Sequence, residues 1–176
     1  MAAQRTAQWT IAAGPAYLSA PSDPWITGGA GAGGIFRTDV QLWGNGRFTA
    51  GIGGHALFLG DGLSTQTVCA QAPGASCPPQ IAPHISSFFG AGIAVRYDPS
   101  RSGGWRVYGR GFAEPIVGVI KQSAFAGPNW TFAASYVGAA VGIAHGPFRG
   151  ELEAGLPINV RGDYPQIFSL QFGFAP

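Results

Sequence analysis

Arg149, Glu151 and Glu153 stand two residues apart in FRGELEAGLPI, residues 148 to 158, with Phe148, Gly150, Leu152, Ala154, Leu156 and Ile158 alternating against them. Charges at a period of two share one face of a strand, and the uncharged residues take the other. Such a face can pair with charges on neighbouring strands, so the question is whether it meets water or a closed interior. Other residue types that carry chemistry are few. His84-Ile85-Ser86 is a His-x-Ser pair on one strand face, where a histidine would activate a serine. No acid follows at a spacing that would orient it, and the expectation is no catalysis. His55 has inward parity on its strand and reads as a satisfied interior histidine rather than a metal ligand, while His145 belongs to an HGP turn. GGAGAGG lacks the strand, turn and helix context of a phosphate loop and reads as a flexible entry to a strand. Neither a cofactor nor a metal site is expected.

The composition limits what can position these residues. One domain is expected at 176 residues. Charged residues make up 10% of the chain, against about 25% in soluble domains. Hydrophobic residues reach 46% and glycine 29 positions, yet no apolar run is long enough for a transmembrane helix. A net charge of +2 with scattered basic residues argues against nucleic acid. MAAQRTAQW lacks the apolar core of a secretory signal, so either the chain is not exported or a leader has been removed ahead of it. Cys69 and Cys77, in VCAQAPGASCPP, are placed to close a small disulfide ring in an oxidising compartment; the alternative is two unpaired thiols.

Eight segments read as strands: 9–18, 34–43, 47–59, 85–97, 105–120, 130–144, 148–159 and 166–174. Short joins alternate with long ones. GNGR, with its Asn45-Gly46 hairpin signal, DPSRSGG and HGP are short, whereas the others, 19–33, 60–84, 121–129 and 160–165, are mostly longer. An even number of antiparallel strands with tight turns at one end and long loops at the other is the pattern of a transmembrane barrel, and each segment suffices to cross a hydrocarbon layer at a tilt.

Parity sorts the side chains into two unlike sets. Trp9, Ile11 and Tyr17, Phe36 and Val40, Ile52 and Phe58, Phe89 and Ile93, Val107 and Val117, and Phe168 and Phe172 share a face that carries no charge. Arg37, Asp39, Arg96, Arg106, Arg110, Glu114, Arg149, Glu151 and Glu153 fall on the other. A lipid-facing surface demands such a division, because Arg or Lys at the bilayer midplane costs about 2–4 kcal/mol. Five arginines against four acids nearly neutralise one another, and the planar guanidinium suits buried pairing with carboxylates. These residues are expected to form an interior ion-pair network in a lumen just wide enough for side chains to fill. A soluble sheet would instead leave eight apolar stripes without a covering layer. Segment 130–144 keeps two registers open: Trp130, Phe132 and Tyr136 suggest one outward face, Val137, Val141 and Ile143 the other, to be reconciled by a bulge or a lumen wall of small residues. Trp9, Phe48, Tyr97, Trp105, Phe148 and Phe174 gather at the short-turn ends as an aromatic girdle, with Trp43 close by on the inward parity.

The expectation is therefore an all-β, eight-stranded antiparallel up-and-down transmembrane β-barrel over 9–174, with short periplasmic turns, longer extracellular loops, a segment 1–8 before it and 175–176 after it. In this architecture, and in the last strand QIFSLQFGF, which looks like a C-terminal barrel-assembly signal, the chain resembles the small eight-stranded outer-membrane barrels of Gram-negative bacteria, the OmpA/OmpX-like group. The resemblance implies residence in the outer membrane among lipid and lipopolysaccharide, folding by the barrel-assembly machinery, and both termini in the periplasm. It does not fix a function, because one scaffold hosts many. A non-enzymatic, adhesin-like surface role through loops 19–33 and 60–84 is the leading expectation, with those loops as the candidates for an extracellular ligand. Two alternatives stand beside it. His84 and Ser86 resemble the His-x-Ser of outer-membrane lipid A deacylases, though Ser87 and Phe88 follow where those enzymes have an asparagine-rich segment. The third reading is a narrow, low-conductance pore.

Overall fold

The computed structural model describes residues 8–19, 31–44, 47–59, 84–99, 104–121, 130–158 and 166–175. Period-two alternation of β-branched, aromatic and small residues produces strands that are two-faced from end to end. These are β1 (Gln8–Ser19), β2 (Gly31–Gly44), β3 (Phe48–Leu59), β4 (His84–Tyr97), β5 (Trp105–Lys121), β6 (Trp130–His145), β7 (Phe148–Ile158) and β8 (Gln166–Phe174). Each pairs antiparallel with the next, and β8 returns to β1, which closes the barrel. The up-and-down architecture is the one that the alternation predicts. Closure leaves no edge strand to be covered.

Up-and-down connectivity sends the joins β2–β3, β4–β5 and β6–β7 to one end and the other four to the opposite end. The first set is short. In the β6–β7 turn Gly146 has φ of +56°, in the left-handed region that favours glycine, and Pro147 follows it. The long joins lie outside the described residues, and with them Cys69, Cys77 and nearly all of loops 19–33 and 60–84; so do Asn45-Gly46 and, apart from Gln8, segment 1–8.

Two register details settle points left by parity. Pairing between β2 and β3 shifts between Gln41 and Trp43. The extra residue reverses parity beyond it, so Trp43, expected inward, stands outside the wall at 66% exposure. β6 pairs without a shift against both neighbours, which resolves its two registers. Ala134, Tyr136, Ala140, Gly142 and Ala144 face the lumen, while Val141 and Ile143 face out. This is the lumen wall of small residues, with one large ring, Tyr136, admitted among them.

The lumen is layered. Toward the long-loop end Ala16, Leu18, Ile35, Leu57, Phe88, Ile116, Ala134, Tyr136 and Ile167 form a buried apolar cluster. The ring centroids of Phe88 and Tyr136 lie 6.2 Å apart in an edge-on contact. The buried charges occupy the other half.

Candidate functional site

At the centre of the charged half, β2, β5 and β7 each turn residues inward at one height. Arg37 donates from Nε and Nη2 to Asp39 Oδ2, at 2.9 and 2.7 Å. Its Nη1 reaches Glu153 Oε2 at 2.7 Å and also bonds Glu151. Arg110 donates from Nε to Glu151 Oε1 at 3.0 Å and from Nη2 to Glu153. Two guanidiniums thus share two glutamates crosswise, and all four side chains are at most 5% exposed. Crosswise sharing serves several lone pairs at once, which is what a buried ion cluster requires. Gln171, fully buried on β8, lies 3.4 Å from Arg37 Nη1 and donates to Ser169 Oγ at 2.8 Å.

Tyr108 joins this layer through a gap in the wall. Its hydroxyl is hydrogen-bonded to Glu151 on β7, although Tyr108 belongs to β5. The ring crosses β6 at Gly142, where any Cβ would run into it. Glycine is required there by that close approach.

The structure does not bring all nine expected network residues together. Arg37, Asp39, Arg110, Glu151 and Glu153 meet as described. Glu114 instead lies with its Oε1 2.7 Å from His55 Nδ1, a separate carboxylate–imidazole pair nearer the apolar cluster. Arg96 pairs with Asp98 at 3.1 Å and lays its guanidinium 3.8 Å over the Tyr108 ring. Arg149 donates to the carbonyls of Gly146 and Phe148 at the turn. Arg106 makes no ion pair among the described residues. Sequence reasoning omitted His55 and Asp98 as ion partners. Inward parity was a usable signal for His55; Asp98 stands past the end of β4, where parity no longer applies.

Two small cavities border the central layer, of about 30 Å³ beside Thr10, Thr49 and Arg96, and about 10 Å³ beside His55 and Glu114. Each is of the order of one or two waters. Ser86 is buried and donates to the carbonyl of Val119 at 3.2 Å. The side chain of His84 lies outside the description. Among the described residues no cluster of His, Cys, Asp and Glu is arranged to hold a metal.

The outer wall is the reverse of the lumen. Large apolar side chains such as Ile52, Ile93, Val107, Val141, Leu152 and Phe172 stand exposed around it. At the short-turn end Phe48 packs on Tyr97 with centroids 4.6 Å apart, Trp105 on His145 at 4.8 Å, and Phe148 on Phe174 at 6.2 Å. Trp9 and Trp43 are exposed at the same ends of their strands.

No protein-family model and no curated protein matches the chain in sequence. Solved structures do match in shape. Neisserial surface protein A (NspA) superposes with a TM-score of 0.56 at 9% identity, over 97% of this chain and 99% of that one. Ail, the attachment invasion locus protein of Yersinia pestis, in complex with the heparin analogue sucrose octasulfate, gives 0.53 at 10% identity, over 98% and 100%. The chain has the small outer-membrane β-barrel fold. At such identities the likeness is one of architecture alone. In an outer-membrane-type barrel a charge-free exterior with rings of aromatic residues at one height is the surface that meets lipid.

Proposed function

We propose that this chain is a resident of the bacterial outer membrane, with both termini periplasmic, and acts there without catalysis as an adhesin-like surface protein through its long loops. The observation that carries this reading is topological: the three longest joins, β1–β2, β3–β4 and β5–β6, all leave from one rim of a closed wall. Chemistry displayed by such a scaffold resides in what it holds out. Loop 60–84 is the longest, and a Cys69–Cys77 ring would restrict it. Ail's complex with a heparin analogue supports a ligand-binding role for barrels of this shape. The ligand of this chain differs in kind. Loops 19–33 and 60–84 contain Asp23 and Asp61 and no Lys or Arg, so a sulfated polyanion has no basic cluster to meet. Trp25, Ile26 and Leu63 favour an apolar or neutral partner surface.

The test is adhesion of a Gram-negative host expressing the barrel to epithelial cells and matrix proteins, with and without residues 62–82. Deletion abolishes adhesion and leaves the heat-modifiable gel shift of a folded barrel intact. Adhesion that survives the deletion in a folded barrel refutes the assignment to this loop.

A further inference from the structure

The short-turn mouth of the lumen is lined by Arg96 of β4, Arg106 of β5 and Arg149 of β7. Arg106 and Arg149 flank Ala144 in register, and that buried residue offers only a methyl between them. Arg96 and Arg106 both act on Arg149 as repelling like charges, so the three guanidiniums share one neighbourhood. Among the described residues one carboxylate answers them: Asp98, hydrogen-bonded to Arg96 and within electrostatic reach of Arg149. The other acids are committed elsewhere. Asp39 is held by Arg37, Glu151 and Glu153 by Arg37 and Arg110, and Glu114 lies against His55. Asp23, Asp61 and Asp163 belong to joins at the opposite end of the barrel.

Unused hydrogen-bonding capacity accompanies the unbalanced charge. The Nε atoms of Arg96 and Arg149 are buried without an acceptor, and Thr49 Oγ1, in register with Arg96, is likewise buried and unpaired. Buried donor atoms of this kind call for a partner, and like charges gathered at one half-buried mouth favour a counter-charge. Guanidinium forks match the oxygens of phosphate and carboxylate groups. Arg47 lies in the β2–β3 join at the same end and strengthens the positive field that would draw an anion in.

We propose that this mouth is a binding site for one oxyanion of the phosphate class, gripped by Arg96, Arg106 and Arg149 with the Thr49 hydroxyl beside them. The group comes either from free phosphate or from a phospholipid headgroup of the adjacent leaflet. The site lies at the opposite end from the adhesive loops and is independent of their role.

Inorganic phosphate is titrated calorimetrically into the full refolded chain, in phosphate-free maltoside micelles and in nanodiscs containing phosphatidylglycerol. One saturable site is expected in the maltoside micelles, weakened at least tenfold by Arg106→Gln or Arg149→Gln. Arg47→Gln, at the exposed turn, should alter affinity less than twofold. Weaker phosphate binding in the phosphatidylglycerol discs identifies the headgroup as the competing source, and unchanged binding identifies the free anion. Heat-modifiable migration shows that each variant is folded. Non-saturable uptake, or equal losses for Arg47→Gln and Arg149→Gln, overturns the site, since either result reports a diffuse field rather than a built pocket.

Discussion

Replacing Arg110 with methionine removes one of the two cations that the central glutamates share. Arg110 supplies an Nε bond of 3.0 Å to Glu151 and an Nη2 bond to Glu153, from a side chain that is 5% exposed. After the change Arg37 alone faces Asp39, Glu151 and Glu153. Hydrogen bonds to charged groups contribute about 1.5–3 kcal/mol each, so two such bonds give roughly 3–6 kcal/mol. Breaking a buried ion pair from one side costs about 3–5 kcal/mol, which agrees. The expected loss is about 4 kcal/mol, within that range. It is read from reversible urea unfolding in lipid vesicles, followed by tryptophan fluorescence. A second variant separates charge from volume. Arg110→Met with Glu153→Gln removes one charge of each sign and should recover about half of the loss, because one carboxylate no longer lacks a partner. A loss below about 1 kcal/mol for Arg110→Met would show a hydrated centre, since that is the scale of exposed pairs, and would refute the reasoning.

Leu152→Arg, on the outer face at mid-strand, should cost about 2–4 kcal/mol in the same unfolding titration; a change within about 0.5 kcal/mol, the range of ordinary surface substitutions, would mean that this face does not meet hydrocarbon. Gly142→Ala should destabilise by about 1–3 kcal/mol, because its methyl enters the Tyr108 ring. Gly109→Ala, whose methyl meets nothing within 4 Å, should stay within about 0.5 kcal/mol. In planar bilayers the wild-type chain should show no diffusion-channel conductance, given cavities of about 30 and 10 Å³; stepwise openings that pass small solutes would contradict the filled lumen.

Much of the wall is legible in the sequence because parity is a local property. Phe168, Leu170, Phe172 and Phe174 against Ser169 and Gln171 declare the faces of β8 without reference to any other strand. Parity fails where the count changes, as at the bulge that turns Trp43 outward. Side-chain size misleads when a large residue is needed inside: Tyr136 seals the apolar cluster at 1% exposure, although its ring resembled a lipid anchor. The site was less legible than the wall. Parity assigns Glu114 to the interior but not to a height, and height decides that its partner is His55 rather than an arginine. Arg96, Arg106 and Arg149 share the parity of Arg37 and Arg110 yet sit near strand ends, beyond reach of the central glutamates.

The central ionic layer has a consequence for how the barrel comes into being. Arg37 meets Glu151 and Glu153 across 114 and 116 positions of chain, and Arg110 meets them across 41 and 43. Until β7 arrives, both guanidiniums lack these acceptors, with only Asp39 nearby for Arg37. A sheet holding β2 and β5 without β7 would carry bare cations into the hydrocarbon, an unfavourable state at every intermediate strand count. Such distant pairings form late in folding. The layer thus acts as a clasp whose two halves are delivered at different times, and insertion of this chain should proceed as one all-or-none event rather than hairpin by hairpin.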